Sequence, residues 1–191
     1  MQFSLSEEEY LIQDTARKLA EDKIAPLAEE LDQGGGREAF LANLKLLAEN
    51  GFMGLNISPD HGGTGAGSVA FAIAVEEIGK ACASTGVTVS VSNMVVEVIQ
   101  AVGNDKQRAR YLPKLASGEM IAAFCLTESG AGSDAAALRT TARRQPDGSW
   151  LLSGEKIWIT NGGIADLYTV FARTEGTDGK ITAFVVEAAW E

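Results

Sequence analysis

Two stretches carry residue types that can bind a ligand through backbone and hydroxyl donors. The first is Phe124-Cys125-Leu126-Thr127-Glu128-Ser129-Gly130-Ala131-Gly132-Ser133-Asp134, which gathers three hydroxyl residues, two glycines and two acids. Glycine has no Cβ, so the backbone N–H groups of such a loop can approach a bound group closely. The second is Trp158-Ile159-Thr160-Asn161-Gly162-Gly163, which sets an aromatic ring beside a hydroxyl and an amide. Both stretches also read as turns where the periodicity changes. Spacing alone leaves ligand site and plain turn open.

Other chemistries are poorly supplied. His61 is the only histidine, so a zinc site or a Ser-His-Asp triad lacks its parts, and no metal is expected. Cys82 and Cys125 are far apart with no C-x-x-C, which points to reduced thiols and a reducing compartment. A net charge of −10 argues against nucleic acid and against anionic membrane surfaces. No apolar run approaches a membrane span in this reading, so no membrane insertion is expected. The start, Met1-Gln2-Phe3-Ser4-Leu5-Ser6-Glu7-Glu8-Glu9, is acidic and unlike a basic targeting signal. The expected location is therefore cytoplasmic, or the mitochondrial matrix in a eukaryote, although this start does not read as a transit peptide. Gly65-x-Gly67-x-x-Ala70 is a degenerate dinucleotide fingerprint, but the apolar stretch before it ends early and no acid lies about twenty residues on. It reads better as a loop entering a helix. Glu76 and Glu77 are neighbours on a helix, about 100° apart around its axis, so they make no catalytic pair and read as solvated or ion-paired.

The elements that must position the two loops follow from periodicity. Ser6-x-x-Glu9 is a capping box opening a helix whose apolar stripe runs from Ile12 to Leu31, with Pro26 expected to kink or split it. Gly34-Gly35-Gly36 is a break. Phe40, Leu44, Leu47 and Ala48 form a second stripe, closed by Gly51. Leu55 to Asp60 reads as short and extended. Ser68 to Ala83 is apolar nearly all round, the pattern of a buried helix. Ser84 to Val102 mixes period two with helical spacing and is read as one buried helix. Asp105 is read as the cap of a basic helix that Pro113 should break.

From Ile121 the pattern becomes short strands. Pro146-Asp147-Gly148 and Thr177-Asp178-Gly179 are hairpin signals, and Lys156 to Thr160 alternates like a strand. The fold class expected is α+β. An all-helical domain over 1–118 precedes an antiparallel β-barrel-like domain over 119–191.

In this order of motifs the sequence resembles the acyl-CoA dehydrogenases. The resemblance covers essentially the whole chain. Asp60-His61-Gly62-Gly63, Tyr111-Leu112-Pro113-Lys114-Leu115-Ala116-Ser117-Gly118, Leu126 to Asp134 and Gly154-x-Lys156-x-Trp158-Ile159-Thr160-Asn161-Gly162 carry it. Ser129 departs from it, standing where the family usually has proline. The resemblance implies FAD between a helical and a β domain, and oxidation of the Cα–Cβ bond of an acyl-CoA to the trans-2-enoyl-CoA. A carboxylate would take the α-proton and the flavin the hydride, with electrons passing to an electron-transfer flavoprotein.

By the same resemblance Phe124, Leu126, Thr127, Gly132 and Ser133 would line the flavin, with Thr127 at its pyrimidine end. Trp158 and Ile159 would pack at the ring, Thr160 would bond N5, and Ser133 would also contact the acyl-CoA. These types suit the task. A flat ring favours an aromatic neighbour, and an edge that gains charge favours oriented donors. Ordinary strand packing for Trp158, and strand-end positions for Thr127 and Thr160, are the competing readings.

The family's C-terminal helical domain, which supplies the catalytic base and the oligomer core, is not found in this sequence. The β domain reads as incomplete, truncated before the C-terminal helical bundle. No catalytic residue is therefore assigned, and Glu128 reads as a loop carboxylate held by backbone donors rather than a substitute base. The longer enzyme is expected to form a homotetramer or homodimer. The alternatives are a non-catalytic flavin or acyl-CoA binding module, and a flavin oxidase or monooxygenase on the same scaffold.

Overall fold

The computed structural model describes residues 4–190. The start read at Met1-Gln2-Phe3 and the terminal Glu191 lie outside them. The chain divides into two compact units, Met1–Met120 and Ile121–Glu191.

The first unit is helical. Helix α1 (Glu7–Leu19) begins at the expected capping box, with Ser6 and Glu9 each bonding the other's backbone N–H. Pro26 splits the long stripe as expected: a π-turn (Ala20–Ile24) and a 3₁₀ turn (Ala25–Leu27) precede a short α2 (Ala28–Asp32). The π-turn still buries Ala20 and Ile24. Helix α3 (Arg37–Glu49) is followed by Gly51 in left-handed backbone, as its position predicts. Helices α4 (Gly67–Ala81), α5 (Ala83–Val102) and α6 (Asp105–Ala116) complete the unit. Ala16, Leu47, Phe52, Met53, Ala74, Ile78 and Val89 form its core.

Several local expectations are corrected. Leu55 to Asp60 is not extended; the chain there turns through Phe52–Gly54 and Pro59–His61. The cap of α6 is Asn104, reciprocated by Gln107, one residue before the Asp105 expected. Pro113 lies inside α6 rather than ending it, since burial of Leu112, Leu115 and Ala116 carries the helix on. The fingerprint at Gly65 to Ala70 enters α4 from turns, with no strand before it, so the dinucleotide reading fails. Helix α5, contrary to the sequence expectation, is long and apolar enough to cross a membrane by length and composition. Half of it is buried inside the protein, and Thr85, Thr88, Ser92 and Asn93 are among its buried residues, which is the character of a core helix.

Glu77 is ion-paired, one of the two outcomes anticipated. It is 4% exposed and receives Arg17 at 3.0 Å and Lys80 at 3.3 Å, and the Arg17 hydrogen bond leads in holding its carboxyl below the usual range. Gly63 is required by close approach: a Cβ there would lie 2.1 Å from the Ile57 carbonyl oxygen and 2.4 Å from the Ile57 Cβ. Gly63→Ala is expected to destabilise the helical unit by about 3 kcal/mol, because the obstacle includes backbone that cannot swing aside. Urea unfolding followed by circular dichroism checks this, and an unchanged midpoint would mean that the turn relaxes freely.

The second unit is a five-stranded sheet of β1 (Ala122–Cys125), β2 (Thr141–Arg144), β3 (Trp150–Ser153), β4 (Leu167–Thr174) and β5 (Ile181–Glu187). Central β4 has β5 antiparallel along one edge. Its other edge is shared by β1, paired Ala122↔Leu167 to Cys125↔Val170, and β2, paired at Thr141↔Arg173 and Ala142↔Thr174. Both of these ladders are parallel, so the α+β class holds but the sheet is mixed rather than purely antiparallel. The reason lies in the connections. The β2–β3 and β4–β5 hairpins reverse the chain at the turns read from sequence. The long stretch after β1 has room to bring the chain back so that β2 runs in the same direction as β1, and the stretch after β3 reverses it once more, so that β4 runs parallel to β1 and β2.

Candidate functional site

Both motif stretches are loops of the second unit, and the structure joins them. The first leaves β1 at Cys125 and closes a tight turn in which Glu128 and Ala131 exchange N–H···O bonds of 3.1 Å. Ser129 and Gly130 form its exposed tip, and Gly132 and Ser133 continue on the exposed side. The second loop runs beneath it. Lys156 Nζ donates to the Leu126 carbonyl at 2.9 Å and to Glu128 Oε1 at 2.8 Å, and the Ile157 N–H donates to the Thr127 carbonyl at 3.0 Å. No strand forms over Lys156 to Thr160, contrary to the alternation, because the backbone leaves the extended region at Trp158.

One carboxylate organises this layer. Glu128 is 8% exposed and accepts the Arg139 N–H (2.6 Å), the Thr140 N–H (3.0 Å), the Thr140 hydroxyl (2.5 Å) and Lys156. Burial alone pushes this carboxyl upward; the Lys156 ammonium, the Thr140 hydroxyl and two backbone N–H groups outweigh it and hold the group at about 2. A carboxylate so held is a poor proton acceptor, in keeping with the sequence reading of Glu128. Gly154 completes the arrangement, since a Cβ there would stand 2.5 Å from Thr140 Oγ1. The neighbouring Cys125 thiol is pushed up to about 11, chiefly by burial, so it is inert.

Trp158 is 88% exposed and has φ +57°, a left-handed backbone that costs a bulky residue about 1–2 kcal/mol. Ordinary strand packing is thereby ruled out for it. Downstream, Asn161, also left-handed at φ +67°, donates Nδ2–H to the Ala122 carbonyl at 2.8 Å. Ile159 packs against the cluster of Ala123, Cys125 and Ala165. Phe124 sits within β1 with its ring 4.9 Å from that of Phe171. Leu126, Thr127 and Thr160 are half-buried. Among the described residues, the hydroxyls of Thr127, Ser133 and Thr160 are taken up by no protein group. A Cβ at Gly130 or Gly132 would meet open space and neither has positive φ, so the unit's own packing does not call for glycine at either. An exposed aromatic, uncommitted hydroxyls and an open glycine turn fit a flat polar-edged ligand.

Residues 6–119 match the acyl-CoA dehydrogenase N-terminal domain, and residues 123–190 match the acyl-CoA dehydrogenase middle domain. The chain belongs to the acyl-CoA dehydrogenase family. It is 39% identical over 196 residues to a short-chain specific acyl-CoA dehydrogenase of Clostridium acetobutylicum, covering 100% of this chain and 50% of that protein. Butyryl-CoA dehydrogenase from Megasphaera elsdenii superposes with a TM-score of 0.88 at 35% identity, covering 99% of this chain and 50% of that one. An acyl-CoA dehydrogenase from Bacillus anthracis complexed with FAD superposes with a TM-score of 0.86 at 34% identity, covering 98% of this chain and 32% of that one. The chain thus spans about half the length of the first of these relatives.

Within this family member, the residues that sequence reasoning left out of the site are Lys156, Thr140 and Gly154. Lys156 and Gly154 stand in the Gly154-x-Lys156-x-Trp158 motif, so a signal was present without a role. Thr140 has no local signal, because its function depends on Glu128, twelve residues earlier in the chain. No group of His, Cys, Asp and Glu among the described residues could hold a metal ion. An apolar groove of about 610 Å³ between β3 and β5 is lined by Trp150, Leu151, Phe184 and Trp190 among others, and shares no lining residue with the two loops.

Proposed function

We propose that this chain is the flavin-holding portion of an FAD-dependent acyl-CoA dehydrogenase. The observation that carries this is the pair of joined loops, which present Trp158 outward in strained backbone beside uncommitted hydroxyls. A strained, exposed tryptophan has no packing role in the unit, and contact with a ligand's ring supplies one. When bound, FAD supplies the hydride acceptor for oxidation of an acyl-CoA to the enoyl-CoA. Trp158 and Ile159 would flank the ring, and Phe124, Leu126 and Gly132 would line it. Thr127 and Thr160 would direct donors at edges that gain charge. Ser133 would serve both cofactor and acyl-CoA. The longer protein, in the same reading, passes electrons to an electron-transfer flavoprotein and assembles as a homotetramer or homodimer.

Proton abstraction is assigned elsewhere than Glu128, whose carboxylate already accepts four donors. Titrating FAD into the purified chain is expected to quench flavin fluorescence, and butyryl-CoA with a dye acceptor is expected to give almost no turnover. Absence of flavin binding would remove this reading. Robust turnover would show that a group on this chain takes the proton.

A further inference from the structure

We propose that Lys156 is a positioning residue: resting on the flavin reading above, its inward anchorage holds the 157–160 loop so that Trp158 is presented to the cofactor. The side chain is 10% exposed, and its ammonium already donates to Leu126 O and Glu128 Oε1. It is turned into the protein, which sets it apart from a ligand-binding lysine reaching outward. Both of its acceptors belong to the first motif loop. The next residue, Ile157, donates its backbone N–H to the same loop at Thr127, and the residue after that is Trp158.

A left-handed tryptophan persists only where the chain is fixed on both sides of it. On the downstream side Asn161 Nδ2–H bonds the Ala122 carbonyl, and the Ala165 N–H bonds Asn161 O at 2.8 Å. On the upstream side the anchors are the Lys156 ammonium and the Ile157 N–H. Removing the ammonium deletes the stronger of these, the one that joins a charge to a buried carboxylate. The loop can then relax at Trp158 and turn the ring from its outward setting. The Glu128 carboxylate, tied also to Arg139 and Thr140, makes the anchor point rigid.

A positioning role differs from a simple contribution to stability, and two variants of the full chain separate them. Lys156→Met leaves the Glu128 charge buried without its cation, so it is expected to lower both thermal stability and FAD affinity. The double variant Glu128→Gln with Lys156→Met removes that stranded charge and is expected to regain much of the melting temperature. It is nonetheless expected to bind FAD about tenfold or more weakly than the parent, because the loop has lost its anchor. In both variants the Ile157 amide should exchange with solvent faster. The fluorotryptophan NMR resonance of Trp158, assigned with Trp158→Phe, should shift and sharpen.

Parental FAD affinity in the double variant, or unchanged Ile157 exchange and Trp158 resonance in both variants, would overturn the proposal. If the parent chain binds no FAD, the flavin reading fails and the cofactor clause of the proposal fails with it. The exchange and fluorine signals still decide whether Lys156 anchors the loop.

Discussion

Glu128→Ala is expected to destabilise the β unit by about 3–5 kcal/mol, because it strands the Lys156 ammonium and removes the acceptor of two backbone N–H groups. Three segments of chain, at 126–128, 139–140 and 154–156, converge on this carboxylate and would lose their common tie. The same group predicts an acid limit. Its folded value of about 2 lies below its ordinary value of 4.5, so its stabilisation is fully present above about pH 4.5 and is lost as pH falls towards 2. Thermal melts of parent and Glu128→Gln from pH 7 to pH 2 check both points. The parent should lose stability through this window, and the variant should start lower and fall less. Parallel pH profiles would show that the carboxylate is not held as its four donors imply.

Trp158→Gly is expected to part stability from binding. Replacing a packed tryptophan in a core costs about 3–5 kcal/mol. Here the side chain is 88% exposed and the backbone is left-handed, a region glycine enters freely. Relief of that strain opposes the extra flexibility glycine gives the unfolded chain. Stability should therefore stay level or rise by up to about 1 kcal/mol. FAD affinity should fall by about one to two orders of magnitude through loss of aromatic stacking. Denaturant midpoints and FAD titration give the two readouts. A large loss of stability would mean that Trp158 is a packing residue, and unchanged FAD affinity would mean that its ring does not meet the flavin.

Both variants act on a layer that the sequence marked only in part. The candidate stretches were legible because glycine, hydroxyl and aromatic residues concentrate there, and their order matched a family. Glu128 was legible as a held carboxylate, though its partners were not: Arg139 and Thr140 lie eleven and twelve residues on and Lys156 twenty-eight. Lys156 to Thr160 alternates like a strand yet forms none, because alternation reports side-chain periodicity alone, whereas the left-handed Trp158 breaks the path. Pro113 does not end its helix, because local propensity is weak beside burial of Leu112 and Leu115. Ser129, the departure from the family, sits at the exposed turn tip, where the closing Glu128–Ala131 bonds do not involve it.

The sequence by itself determined where most of the helices lie, the capping box at Ser6, the two hairpins, the α+β division and the two loops that form the candidate site. Each of these rests on contacts between residues close in the chain, where spacing and residue type carry the information. Tertiary structure alone decided that β1 and β2 run parallel to β4, that Trp158 faces outward, and that Glu128, Thr140 and Lys156 meet. Those outcomes depend on segments brought together by the sheet, and no local pattern records which distant donor a buried carboxylate will find.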